Sequence, residues 1–347
     1  MKKEKIKPFR VLSMEGGGLR GLYTALLLNR LNSTFGKSDD MGVCFDLICG
    51  VSTGSIIACG LAKGLTCEEI AQMYIEYGGK IFPSPRPGKR FLAMRWAWRH
   101  RKRAPGDSVV LEQLMRKHFH NTTLSEVYKR RGIRLCVPCV DALTHRPRIF
   151  KTPVPGHSSG DGDRSLVEIS MASSAAPFLL PAYRHPEGEY SLDAGLWVNS
   201  PVVLGMLEAL KSVEAERPIE IVTCGAVRNL TRELNDYKPE KGLLDWLERT
   251  DLMEVMMTAN GYGDTGIAVD LAAAFCLAGR QVTVLPLKEL PKPPEVFEQI
   301  KIDRLNTRAR DLLRNLALTD ADFICRKVVD YPDDPESIML RNVFSGT

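Results

Sequence analysis

No stretch of this 347-residue chain approaches the roughly 18 consecutive apolar positions that a membrane-spanning helix requires. The opening Met1-Lys2-Lys3-Glu4-Lys5-Ile6-Lys7-Pro8 is basic, but Arg10, Glu15 and Arg20 follow at once. The apolar core of a secretory leader is therefore missing. Nine cysteines, an odd number in apolar settings such as Val43-Cys44-Phe45 and Ile324-Cys325, make no disulfide framework and read as reduced, buried thiols in a cytoplasmic setting. Cys136-Val137-Pro138-Cys139 has no second pair at zinc spacing, so it reads as strand core and no metal is expected. Histidine is scarce, and none of the six lies beyond His185. The net charge of +5 is too mild to call for a nucleic-acid polymer, and no internal repeat is present.

What is present suits a globular protein with a large core: 44% of residues are apolar and 26% charged. Phe9 to Met14 is a strand-like run that stops at Gly16-Gly17-Gly18, after which Leu22 to Leu31 places leucines at helical spacing. Val43 to Cys49 repeats the scheme, leading through a glycine turn into the small, apolar segment Ser55 to Leu61. Two strand-turn-helix units so close together predict a parallel α/β sheet. Further strands are expected at Arg134 to Val140, Pro147 to Phe150 and Ile219 to Cys224, with helices at Leu111 to Phe119, Leu166 to Ala175 and Val202 to Val213. Two excursions interrupt the core, Pro83 to Asp107 and the Gly/Ser/Asp-rich Pro153 to Arg164. From residue 231 the chain reads as mostly helical, with helices at Leu243 to Leu252, Val269 to Ala278 and Val296 to Leu318. This gives a core over 1–230, with a basic aromatic excursion at 80–107, and a C-terminal part over 231–347.

Gly50-Val51-Ser52-Thr53-Gly54 fits a nucleophile elbow, in which flanking glycines permit a cramped strand-to-helix turn that presents the serine hydroxyl. The following helix points its positive end at that serine. Gly16-Gly17-Gly18-Leu19-Arg20-Gly21 can expose backbone N–H groups at close range, as an oxyanion hole requires. The same six residues also satisfy G-x-G-x-x-G after a strand. Asp39 or Asp40 then stands near the offset of a ribose-binding acid, so a non-catalytic Rossmann-like protein using Gly16 to Gly21 for phosphate is the rival reading. Ser191-Leu192-Asp193-Ala194-Gly195, with an Asp at a strand end before another glycine turn, favours acyl transfer by adding a third, complementary part.

A serine hydroxyl needs a base to take its proton. A Ser, acid, His order could be assembled from Asp141 with His145, His157 or His185, but these histidines stand in polar, exposed-looking stretches. A carboxylate serves directly if burial raises its proton affinity, so Ser52 and Asp193 can form a dyad.

With those residues in place, the chain resembles the patatin-like phospholipase family, whose signatures are G-G-G-x-[RK]-G, G-x-S-x-G and D-G-[GA]. They stand here, in that order, as Gly16 to Gly21, Gly50 to Gly54 and Asp193-Ala194-Gly195, with Ala194 where many members have glycine. Ala172-Ser173-Ser174-Ala175-Ala176-Pro177 and Asn199-Ser200-Pro201 add to the likeness, which covers residues 9 to 228. The resemblance implies a three-layer fold with a mostly parallel central sheet flanked by helices, plus a C-terminal helical extension. It implies Ser52 as nucleophile and Asp193 as base, with Gly17, Gly18, Leu19 and Arg20 around the oxyanion hole. No cofactor is implied, and the substrate would be membrane phospholipid.

Between Lys80 and Arg103 there is no acidic residue, while Arg95, Trp96, Trp98, Arg99, Arg101, Lys102 and Arg103 bring basic and interfacial side chains together. That composition suits a transient dock on an anionic membrane surface, at the inner face of the cell membrane. The length and layout also resemble the phospholipase effectors of anti-phage signalling, which cyclic oligonucleotides switch on. An activating cyclic dinucleotide or trinucleotide is therefore expected, and a homo-oligomer is allowed. Asn260 to Gly266, Arg228 and Arg232 are the segments left over for such a ligand.

Overall fold

The computed structural model describes residues 6–83, 90–153, 160–227 and 252–346. The helix expected at Leu243 to Leu252 lies almost wholly outside them, as do His157, Arg228 and Arg232. Along the chain come β1 (Phe9–Met14), α1 (Gly21–Phe35), β2 (Leu47–Gly50), α2 (Thr53–Lys63), α3 (Cys67–Ile81) and α4 (Arg90–Arg99). Then follow α5 (Ser108–Phe119), α6 (Leu124–Arg131), β3 (Arg134–Asp141), β4 (Pro147–Lys151), α7 (Leu166–Ser173), β5 (Tyr183–Arg184), β6 (Tyr190–Asp193) and α8 (Val202–Ser212). The rest is β7 (Ile219–Cys224), α9 (Leu252–Leu277), β8 (Val282–Pro286), α10 (Pro294–Gln299), α11 (Thr307–Asp330) and α12 (Pro335–Ser345).

The strands form one sheet in the order β5-β6-β3-β2-β1-β7-β8, with β4 also paired to β3. Neighbours from β3 through β8 run parallel, and β4, β5 and β6 pair antiparallel. Side chains alternate across a strand, so β1 feeds two cores. Leu12 and Met14 pack on one face with residues of α1, α2 and α5, whereas Phe9 and Val11 pack on the other with Val202, Met206 and Ala268. The result is three layers with the sheet buried on both sides, as a parallel sheet requires.

One detail of register places the chemistry. β2 pairs with β3 at Cys136 and β6 pairs with β3 at Cys139, while β4 pairs with both of those positions. β4 therefore occupies one edge of β3, and β2 and β6 share the other, running toward each other. Ser52 lies just past the end of β2 and Asp193 closes β6, so the two strand ends converge.

Several elements differ from the sequence pattern for physical reasons. The run at Val43 to Cys49 splits into a 3-10 turn (Met41–Cys44), closed by the Phe45 N–H on Gly42 O at 3.2 Å, and β2, the chain joining the sheet only from Asp46, whose N–H donates to Arg10 O at 2.9 Å. The segment Asn260 to Gly266, assigned to no element from the sequence, lies inside α9, which runs straight through its three glycines. At Gly261 a side chain would meet Glu15 Oε2 at 3.1 Å, so the glycine serves close packing. The single helix expected over Val296 to Leu318 is broken into α10 and α11, and Asn306 starts α11 afresh by accepting the Ala309 N–H at 2.8 Å. β8, ending in Pro286, is an edge strand that the C-terminal part adds to the sheet.

Candidate active site

Ser52 takes φ 52° and ψ −122°, a conformation non-glycine residues rarely hold, and immediately caps α2. The close turn explains both flanking glycines. A side chain at Gly50 would sit 2.2 Å from Gly54 O, and one at Gly54 would sit 2.4 Å from Met14 O. The Ser52 amide donates to Ser173 Oγ at 3.0 Å, and Ser55 Oγ donates to Ser52 O at 2.6 Å, fixing the elbow from both sides.

Asp193 is 5% exposed, and its carboxylate accepts the Gly195 N–H at 2.7 Å and stands beside the Ser52 hydroxyl. Burial pushes its pKa up to about 6, against the opposing pull of the Ser52 hydroxyl and the Gly195 amide. Ala194 is fully buried against Val51 and Val198, so its methyl group fills core space where a glycine would leave a gap.

The glycine turn lies against the elbow: a side chain at Gly16 would meet the Ser52 Cβ at 3.1 Å. Gly18 has φ +56°, and a Cβ there would strike Ile302 O at 2.4 Å. The expected oxyanion group is narrower than the sequence suggests. The Leu19 N–H already donates to Ile302 O at 2.8 Å and the Arg20 N–H to Gly17 O at 3.2 Å, so both are spent on holding the turn. The amides of Gly17 and Gly18 donate to no backbone carbonyl outside regular helices and strands among the described residues, which leaves them as the candidate donors.

The Arg20 side chain is buried. Nε donates to Ile300 O at 2.7 Å, Nη1 to Val227 O at 3.4 Å, and Nη2 pairs with Glu254 Oε1 at 2.7 Å. It steadies the loop rather than lining the oxyanion hole. Gly21, at the start of α1, has no room for a side chain against Thr53 Oγ1, 2.2 Å away.

Ser52 and Asp193 both line one cavity walled by apolar side chains. Ile56, Met73, Leu111 and Met115 form one side of it, and Met253, Met256 and Met257 from the first turns of α9 form another. Sequence reasoning missed this methionine face. Its signal was legible, since positions 253, 256 and 257 share one side of a helix. Ile302 acts through its carbonyl and has no side-chain signature.

The histidine alternatives lose their partners. His185 is buried rather than exposed, with Nδ1 2.7 Å from Glu168 Oε1 and Nε2 2.8 Å from Ser191 Oγ, so it braces β6 from behind. Asp141 accepts the N–H groups of Leu143 and Thr144 at 2.9 and 2.7 Å, which makes it a turn cap. The Rossmann-like reading also fails on geometry. Asp40 is held by Arg131 at 2.7 Å, and Ile302 O and the Ala226 side chain crowd Gly18 and Gly17.

The basic excursion becomes α4 and the turn after it. Arg95, Arg99, Arg101, Lys102 and Arg103 are exposed and Trp98 is 68% exposed, while Trp96 is half-buried against His100. Arg101 stacks over Trp98 at 4.1 Å. Among the described residues no helix is long and apolar enough to cross a membrane, and no cluster of three or more His, Cys, Asp or Glu could hold a metal ion. Asn260 to Gly266 is helical and used for packing, with Asp264 accepting the Asn199 and Ser200 N–H groups at 3.2 and 3.1 Å.

An elbow serine facing a buried carboxylate, beside a triple-glycine turn on a three-layer α/β sheet, defines a patatin-type site. The patatin-like phospholipase model matches residues 12–205, and the chain belongs to that family. It is similar to a cGAMP-activated phospholipase of Pseudomonas aeruginosa, 32% identical over 226 residues, covering 65% of this chain and 64% of that protein. A cGAMP-activated phospholipase of Vibrio cholerae is 31% identical over 215 residues, covering 60% of each. The match thus spans less than two thirds of the length of these relatives. Patatin-like protein 2 of Arabidopsis thaliana is 26% identical over 299 residues, covering 76% of this chain and 72% of that protein. The solved structure of human GIVD cytosolic phospholipase A2 covers 98% of this chain and 61% of its own, at 10% identity and a TM-score of 0.47.

Proposed function

We propose that the chain is a serine lipid acyl hydrolase of the phospholipase A type that releases fatty acids from membrane phospholipids. The observation that carries this reading is the buried Asp193 carboxylate, its pKa raised to about 6, set beside the hydroxyl of an elbow serine inside an apolar cavity. Ser52 Oγ attacks the ester carbonyl while Asp193 takes its proton. The amides of Gly17 and Gly18 receive the negative charge on the carbonyl oxygen. Asp193 then returns the proton to the departing lysolipid oxygen, leaving an acyl-serine. Water, deprotonated by Asp193, cleaves that ester and frees the fatty acid. The apolar cavity houses the acyl chain, and no metal or cofactor takes part in these steps.

We assign α4 and the turn after it, with Arg95, Trp96, Trp98, Arg99, Arg101, Lys102 and Arg103, to a transient dock on anionic lipid at the inner face of the cell membrane. Basic side chains beside an exposed tryptophan support this. The names of the two bacterial relatives support activation by a cyclic nucleotide, as in an anti-phage effector. The part from residue 231 onward is given the regulatory role, supported by the hold of Glu254, Ile300 and Ile302 on the glycine turn. Such gating fits a lipase that must not attack its own host, and a homo-oligomer is compatible with it.

The test is labelling by a fluorophosphonate probe, which reacts with activated serines. The wild-type chain should be labelled in the presence of its activator, and Ser52→Ala and Asp193→Asn should not. A wild-type chain that stays unlabelled with every cyclic dinucleotide and trinucleotide supplied would remove the hydrolase reading.

A further inference from the structure

At the end of the sheet opposite Ser52, a second concavity opens where β1, β2, β3 and β7 begin. Its walls include Phe9, Asp46, Tyr128, Lys129, Arg134 and Arg217. Three of these carry positive charge and one negative, and the negative group is already engaged. Asp46 Oδ2 accepts the Arg10 N–H at 2.8 Å and Oδ1 accepts from Arg217 Nη2 at 3.2 Å. Arg217 also donates Nε to Lys7 O at 3.0 Å and Nη2 to Pro8 O at 3.3 Å, which ties it to the start of the chain.

Arg134 has no such outlet. Its guanidinium lies over the Phe9 ring at 5.5 Å and the Tyr128 ring at 5.8 Å, and Arg217 approaches the same Phe9 ring at 5.2 Å. Arg134 Nη1 is buried and finds no acceptor among the described residues. A charged donor taken out of water without a partner is costly, and such orphans are commonly completed by an ion or a ligand. The planar guanidinium fork fits phosphate oxygens two at a time. A half-buried tyrosine beside a guanidinium plane is also what a flat base stacks against.

We propose that this pocket binds a phosphate-bearing ligand of the nucleotide class, with Arg134 forked onto a phosphate and Lys129 adding charge at the rim. The Tyr128 ring faces the base. The proposal rests on the reading of the chain as nucleotide-activated, and it gives that activator a place. The place has reach: β1 leaves the pocket at Phe9 and delivers the Gly16-Gly17-Gly18 turn, while β2 leaves it at Asp46 and delivers Ser52. A ligand here sits at the roots of both strands that carry catalytic turns.

The experiment is fluorescence anisotropy of labelled cyclic GMP-AMP with the full chain carrying Ser52→Ala, so that binding is read without turnover. The expected result is saturable binding, displaced far better by unlabelled nucleotide than by inorganic pyrophosphate. Affinity should weaken roughly tenfold or more in Arg134→Gln, and less in Lys129→Ala. Each variant is checked by its thermal unfolding midpoint. Should Arg134→Gln fail to fold, Arg134→Lys replaces it, keeping the charge and losing the fork, with weakened binding again expected. Three results would overturn the proposal: no saturable binding, affinity unchanged in the folded Arg134 variant, or pyrophosphate competing as well as the nucleotide. Fatty-acid release by the Ser52 chain, measured in parallel, keeps the readings apart. Binding without hydrolysis would leave the pocket standing, and nucleotide-dependent hydrolysis untouched by the Arg134 change would remove the pocket alone.

Discussion

The Asp193 carboxylate comes to face the Ser52 hydroxyl because β6 and β2 approach each other along one edge of β3, ending near Cys139 and Cys136. Far separated in sequence, the two residues owe their contact to strand register. The carboxylate is thereby shut away from water, with the serine hydroxyl and one amide to receive its charge. Its basicity is set by that enclosure.

A pH profile follows from this burial. Asp193 must be ionised to take the Ser52 proton, and its folded pKa stands at about 6. The value of kcat/KM for a soluble ester should therefore rise with pH through a midpoint near 6. A midpoint near 4, where an exposed carboxylate titrates, would contradict the assignment of Asp193 as base.

The same burial costs stability. Folded Asp193 holds its proton more tightly than the unfolded chain does, so the group favours folding below its unfolded pKa of 3.8 and opposes it as pH climbs through about 6. Two pH units correspond to about 3 kcal/mol. Asp193→Asn should therefore unfold at a higher temperature than the wild type at pH 8 while losing activity, and the gain should shrink toward pH 4. Unfolding curves at the two pH values check this. A variant destabilised at pH 8 would mean that the charged carboxylate is better satisfied than its surroundings imply.

Gly18→Ala tests the glycine turn. The residue holds φ +56°, and a methyl group there would meet Ile302 O at 2.4 Å, so the turn must shift. Loss of a well-placed oxyanion donor costs about 10² to 10³ in kcat. The expected variant is folded, with KM for a soluble ester little changed and kcat reduced on that scale. A kcat within a factor of two of wild type would exclude the Gly18 amide from the oxyanion hole.

Much of this arrangement was legible in the sequence. The strands at 9–14, 134–141 and 219–224 announced themselves by apolar runs, and the two catalytic turns by glycines that the close approaches at Gly50, Gly54 and Gly18 now explain. What stayed hidden acts through the backbone or from a distance. Ile302 contributes a carbonyl, α9 runs through a glycine-bearing segment that the sequence left without an element, and Arg20 turns from solvent toward Glu254 across a long stretch of chain. His185 looked exposed from its neighbours Arg184 and Glu187, yet its ring faces Glu168 and Ser191 in the interior. Local composition says little about which way a side chain on a short strand end points.

Docking on lipid should follow charge. Changing Arg99, Arg101, Lys102 and Arg103 to Glu removes four positive charges, each contributing about 1 kcal/mol near an anionic surface. Sedimentation with anionic vesicles at low salt should fall by orders of magnitude, while hydrolysis of a soluble ester is unchanged. Equal sedimentation of variant and wild type would place the lipid contact elsewhere.

The most direct measurement is fatty-acid release from vesicles of bacterial phospholipid by the full chain, with and without cyclic dinucleotides and trinucleotides, using Ser52→Ala as the blank. Release that requires both Ser52 and one nucleotide is the predicted result. No release under any condition, or release that persists in Ser52→Ala, would contradict the account.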